Sequence, residues 1–131
     1  MQRRHLLIAP LAAAGGQAWA QADAYPSRPL RLVIPYAAGG IADLLGRLVA
    51  EKLGAQLKQT VVIENRPGAG GHVGGELVAK AAPDGYTLVL ATNSTYAIAE
   101  HLYKSLPYRH ERDLVAVSGL AASPLILVAR Q

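Results

Sequence analysis

Cysteine is absent from the 131 residues. That excludes a disulfide framework, a thiolate zinc site, a cysteine nucleophile and a lipid on an N-terminal cysteine. Charge is sparse too, at 17% of residues against 51% hydrophobic, the balance of a globular chain and not of a disordered one. The net charge of +4 includes Arg3 and Arg4, and taking those two from the 13 basic residues leaves 11 against 9 acidic ones. So small an excess argues against nucleic acid as the main partner. The nucleotide signatures are missing: no G-K-[ST] follows a glycine loop, and a G-x-G-x-x-G read from Gly68 has Val73 at its third glycine. None of the five serines sits in G-x-S-x-G, and His5, His72, His101 and His110 form no H-E-x-x-H or other ligand spacing. Neither a catalytic triad nor a metal site has support, and no cofactor is expected.

A long apolar run is also lacking. Leu6 to Ala14 is about half of the roughly 20 residues a membrane span needs before Gly15, Gly16 and Gln17 interrupt it. Preceded by Arg3-Arg4 and followed by the small-residue pairs Ala18/Ala20 and Ala20/Ala22, it has the layout of a signal peptide over residues 1–22. Export to the periplasm follows as the expectation, with cleavage after Ala20 or Ala22. The Arg-Arg pair fits a twin-arginine route and an ordinary secretory route equally.

Beyond a linker, Gln21 to Pro29, strand and helix patterns alternate with glycine between them. Leu30 to Pro35 reads as a strand. Ile41, Leu44, Leu45, Leu48, Val49, Leu53 and Leu57 recur at spacings of three and four, predicting an amphipathic helix with those residues inward. Val61 to Glu64 is a second strand, residues 71–82 a second helix with Val73, Leu77, Val78 and Ala81 inward, and Tyr86 to Ala91 a third strand. A short helix over Tyr96 to Leu102 and strands at Val115 to Leu120 and Leu125 to Ala129 complete the reading. This order implies an α/β fold with a mainly parallel sheet covered on both faces.

In such a sheet, ligands bind at the loops leaving the carboxyl ends of the strands. Three loops qualify: 36–40 before the first helix, 65–72 before the second and 92–95 before the third. Each opens a helix whose first N–H groups lack intrahelical partners and whose dipole favours an anion. The candidate ligand-binding residues are Tyr36, Gly39, Gly40 and Ile41, then Gly70, Gly71 and His72, then Thr92, Asn93, Ser94 and Thr95. They suit uncharged capture of a carboxylate or phosphate, although glycine in any one of these loops also serves a plain turn or cap. Asp43 reads as a first-turn carboxylate offsetting the helix dipole, and Arg66, in an extended stretch before Pro67, as a surface-paired arginine.

Four stretches in order carry a resemblance: Tyr25-Pro26-Ser27-Arg28-Pro29; Pro35-Tyr36-Ala37-Ala38-Gly39-Gly40 with Asp43; Val62 to Gly71, reading V-I-E-N-R-P-G-A-G-G; and Pro83-Asp84-Gly85-Tyr86-Thr87-Leu88. From about Tyr25 to Arg130 the chain resembles the Bug or TctC family, the extracytoplasmic solute receptors of tripartite tricarboxylate transporters. The resemblance implies a type II periplasmic-binding-protein architecture of two α/β domains that close on a small organic carboxylate. It implies loop backbone groups, hydroxyls and waters as the ligand contacts, and a membrane permease, or a sensor kinase, as the partner. An enzyme is not implied. Ile41 stands where serine or threonine is common, His72 where asparagine usually follows Gly71, and Ala99-Glu100 where Asn-Pro is common. The substrate is therefore not carried over. At Arg109-His110, which replace a usual Asp-Pro pair, only a surface turn is expected to change.

Family members are more than twice as long. The expectation is that residues 23–131 form the N-terminal part of the first domain, with the strand at Leu125 to Ala129 as the first crossing between domains. Two other readings stand beside a carboxylate receptor: a truncated product without independent function, and an α/β enzyme holding a phosphorylated substrate on the same loops.

Overall fold

A computed structural model describes residues 24–122. The segment expected to be a signal peptide and the strand expected at Leu125 to Ala129 lie outside them. Three strands, β1 (Leu30–Ile34), β2 (Val61–Asn65) and β3 (Thr87–Val89), form one parallel sheet in the order β2-β1-β3. Leu30 is in register with Val61, and Arg31 with Thr87. The central strand is the most buried, with Leu30, Val33, Ile34 and the following Pro35 closed off from solvent.

Side chains alternate across a strand, so β1 feeds two layers. Leu32 and Ile34 join Ala50 and Leu90 in a core under α1 (Ile41–Leu57). Val33 and Pro35 instead meet Gly74 of α2 (His72–Ala79) on the other face. The expected α/β sheet with helices on both faces is what the chain forms.

The buried face of α1 is rotated from the one its apolar spacing predicts. Ile41, Leu44 and Leu48 are exposed, while Asp43, Gly46 and Ala50 face the sheet. Smallness decides this. A Cβ on Gly46 would overlap Ile34 Cδ1, so the helix comes closest to the sheet where its own side chains are least bulky. α2 follows the same rule: Gly74 and Gly75 turn inward and Val73 is exposed. α1 ends at Lys58, whose left-handed backbone lets its N–H bond to the Gly54 carbonyl.

After β3 the chain forms a π-helical turn at Ser94–Ile98 running into α3 (Ala99–Leu102), so the third helical segment begins two residues earlier than expected. A short α4 (His110–Asp113) starts at the Arg109-His110 pair. The strand expected at Val115 to Leu120 does not form. Those residues are in no ladder, and Val115 and Val117 are exposed. Its apolar run satisfies strand propensity, but among the described residues no strand lies beside it, and a strand is stable only when its N–H and C=O groups are paired.

Residues 24–29, the described part of the segment read as a linker, are docked. Tyr25 donates to the Gly85 carbonyl at 2.8 Å, Tyr86 accepts from the Ser27 N–H at 2.8 Å, and Arg28 pairs with Asp84 at 2.7 Å. Arg28 also lies over the Tyr86 ring. Two sequence motifs, Y-P-S-R-P and P-D-G-Y-T-L, are thus the two sides of one contact.

Candidate functional site

The three loops meet at the carboxyl edge of the sheet, and side chains tie them together. Asn65, the last residue of β2, donates from Nδ2 to the Tyr36 carbonyl at 3.1 Å and to Asp43 Oδ1 at 3.0 Å, joining the second loop to the first. The Tyr36 and Thr92 hydroxyls are 2.6 Å apart, joining the first loop to the third. A Cβ on Gly71, whose φ is +98°, would overlap Thr95 Cγ2, so the second and third loops are in contact through the missing side chain. Gly71 satisfies both constraints at once: left-handed backbone and no side chain.

Asp43 is buried at 4% exposure and holds the first loop in shape. It accepts from the Gly39 N–H at 3.0 Å, Arg47 Nε at 3.0 Å and Asn65. The Arg47 hydrogen bond, then those from Gly39 and Asn65, lower its pKa from 3.8 to about 2, so the carboxylate stays ionised at neutral pH. Asp43 lies in the first turn of α1, as the sequence predicts, and has hydrogen-bond partners besides the helix dipole. Because Arg47 offsets its charge, Asp43 does not make the rim anionic. The two residues line an open depression of about 200 Å³ with Gly39, Gly40, Ile41 and Leu44.

The structure gives the candidate residues different roles. Thr95 is buried, and its hydroxyl both accepts from the Thr92 N–H at 2.9 Å and donates to the Thr92 carbonyl at 3.1 Å. The Gly39 N–H is engaged by Asp43 and the Gly71 N–H by the Gly68 carbonyl at 2.8 Å. These three shape the rim. Gly40, Ile41, Gly70, Asn93 and Ser94 are placed along it and are exposed. Gly40 precedes the first turn of α1, where N–H groups face outward without intrahelical partners. Tyr36 and Thr92 sit half-buried between the first and third loops. His72 is buried at 5% exposure, its Nδ1 3.2 Å from the Tyr108 hydroxyl and its ring edge-on to Tyr103.

Arg66 pairs with Glu64, which also binds Arg31, so it is the surface-paired arginine the sequence predicts. Three positioning residues escaped the sequence reading. Arg47 was detectable from its i, i+4 spacing to Asp43. Asn65 and Tyr108 were not, since their partners are 13 to 36 residues away in sequence. Tyr108 is buried, donates to the Thr95 carbonyl at 3.1 Å and fills the space left by Gly75.

Residues 45–131 match the family model described as tripartite tricarboxylate transporter family receptor. The chain belongs to that family. Among curated relatives, a UPF0065 protein of Bordetella pertussis is 44% identical over 128 residues, covering 98% of this chain and 38% of the relative. Protein BugT of the same organism is 44% identical over 119 residues, 90% of this chain and 36% of its own. This receptor-family chain therefore spans little more than a third of the relatives it matches. Among solved structures, the periplasmic binding protein BugD is 44% identical with a TM-score of 0.63, over 66% of this chain and 28% of that one. MatC from Rhodopseudomonas palustris, solved with bound malate, is 39% identical with a TM-score of 0.65, over 68% and 30%. An R. palustris protein solved with adipate is 36% identical with a TM-score of 0.63, over 66% and 29%. The family is one of solute-binding receptors, and its neighbours are periplasmic binding proteins.

Proposed function

We propose that this chain is part of an exported, periplasmic receptor that captures a small organic carboxylate and delivers it to membrane permease subunits of a tripartite transporter. The observation that carries the reading is the rim itself: three loops on one sheet edge, tied to each other by Asn65, the Tyr36–Thr92 pair and the Gly71–Thr95 contact. Loops held in one arrangement before a ligand arrives lose little entropy on binding, so a few neutral hydrogen bonds are enough for useful affinity. Exposed N–H groups at the start of α1, with the Ser94 and Asn93 side chains, supply donors matched to carboxylate oxygens. The malate and adipate held by two structural neighbours have this chemistry. No metal, nucleotide or covalent step is involved, and the protein releases its ligand unchanged.

Residues 24–122 belong, in this reading, to the first of two domains and form one wall of the cleft between them. A second wall closing over the ligand excludes water and strengthens each hydrogen bond. Calorimetry of the full-length polypeptide that carries this chain, against a panel of mono-, di- and tricarboxylates, tests the assignment. Saturable binding of at least one carboxylate, weakened by Gly40→Val and by Ser94→Ala, is expected. Affinity unchanged by both substitutions would place the ligand elsewhere.

A further inference from the structure

His72 is a buried candidate residue with two ring nitrogens to satisfy. It is buried at 5% exposure, yet only Nδ1 has a hydrogen-bond partner among the described residues. That partner fixes the proton. The Thr95 carbonyl can only accept, so the Tyr108 hydroxyl donates its hydrogen there, at 3.1 Å. Tyr108 oxygen is then the acceptor for His72 Nδ1–H, and in a neutral imidazole with that tautomer Nε2 is an acceptor.

Nε2 faces a gap. A Cβ on Gly70 would lie 3.8 Å from His72 Nε2 and 3.2 Å from the Tyr103 hydroxyl, so both groups border the space that the missing side chain leaves open. Gly70 is exposed on the rim, and the Tyr103 hydroxyl has no hydrogen-bond partner among the described residues either. An acceptor nitrogen and a hydroxyl thus converge on one small opening beside the carboxylate rim. An acceptor repels a carboxylate oxygen and attracts a hydroxyl hydrogen.

Resting on the carboxylate-capture reading above, we propose that His72 determines specificity by accepting a hydrogen bond from a hydroxyl group of the ligand. The substrate class is then the hydroxycarboxylates, preferred over counterparts that lack the hydroxyl. The Tyr103 hydroxyl lines the opposite side of the same opening, and Tyr108 acts through His72 as a positioning residue by fixing its tautomer. Discrimination of this kind is larger than that from a hydrophobic contact, because an analogue without the hydroxyl leaves a desolvated acceptor unpaired.

The test is calorimetry with malate and succinate, which differ only by one hydroxyl, on the full-length polypeptide that carries this chain. The parent is expected to prefer malate by about tenfold or more. His72→Phe keeps an aromatic ring against Tyr103 and removes the acceptor, so it should bring the two affinities within about twofold, by weakening malate and not succinate. Tyr108→Phe, which frees the tautomer, should narrow the preference to an intermediate value with His72 still in place. Thermal melts show that the variants are folded, and Gly70→Ala, which fills the opening, serves as an independent variant expected to erase the preference. A parent that binds both acids equally, or a malate preference that survives His72→Phe and Gly70→Ala, overturns the assignment of His72 while leaving carboxylate capture intact. Failure of the parent to bind any carboxylate refutes the underlying function instead.

Discussion

Asn65→Leu is the substitution that most sharply probes how the rim is held. Leucine is close enough to asparagine in shape that the change removes two donated hydrogen bonds without opening a cavity. The bond to the Tyr36 carbonyl, 3.1 Å, is neutral and contributes about 1 kcal/mol; the bond to the Asp43 carboxylate, 3.0 Å, is charge-assisted and contributes about 2 kcal/mol. Together they predict a loss of about 3 kcal/mol at neutral pH, measured by urea unfolding and linear extrapolation. The pH dependence supplies an internal control. Asp43 has a folded pKa of about 2 against 3.8 for the ordinary group, so its stabilisation is present above about pH 4 and is lost as pH falls towards 2. Removing one of its donors therefore costs more at pH 7 than at pH 2. A variant within about 0.5 kcal/mol of the parent at pH 7, or a loss that is the same at both pH values, would show that Asn65 does not brace the site.

Arg47 is the largest contributor to the lowered Asp43 pKa, so Arg47→Met should raise the pH at which the protein unfolds in acid, followed by circular dichroism; an unchanged acid midpoint would argue that the pair is broken in solution. Gly46→Ala should destabilise despite the helix-propensity gain of about 1 kcal/mol, because its Cβ meets buried Ile34 and overpacking costs about 1 to 3 kcal/mol; a higher melting temperature would contradict the packing described for α1. Mass spectrometry of the secreted product should find an N-terminus at Gln21 or Asp23, as cleavage after Ala20 or Ala22 requires, and an intact Met1 on soluble cytoplasmic protein would contradict export.

The parts of the fold that rest on local chemistry were legible in the sequence, and the parts that rest on distant partners were not. Helix α1 was readable from its three-and-four spacing, yet its orientation was not, since Gly46 and Ala50 reach the sheet where leucines were expected to. The three parallel strands followed from short apolar runs, β-branched at Val61 to Ile63, with glycine-rich turns between them. Val115 to Leu120 has the same local signal and forms no strand, because a ladder depends on a neighbour that propensity cannot see. At the site, glycine and hydroxyl residues marked the three loops correctly as one edge. Their division of labour was hidden: the Thr95 hydroxyl is used within its own turn, and His72 turns inward to Tyr108.

Whether a carboxylate sits on this rim is read by titrating the ¹⁵N-labelled full-length polypeptide with malate and following backbone amide shifts by NMR. Saturable shifts are expected at Gly40, Ile41 and Ala42 of the first loop and helix start, at Gly70, and at Asn93 and Ser94. Shifts absent from all three loops, with malate bound elsewhere on the protein, would contradict binding at the rim.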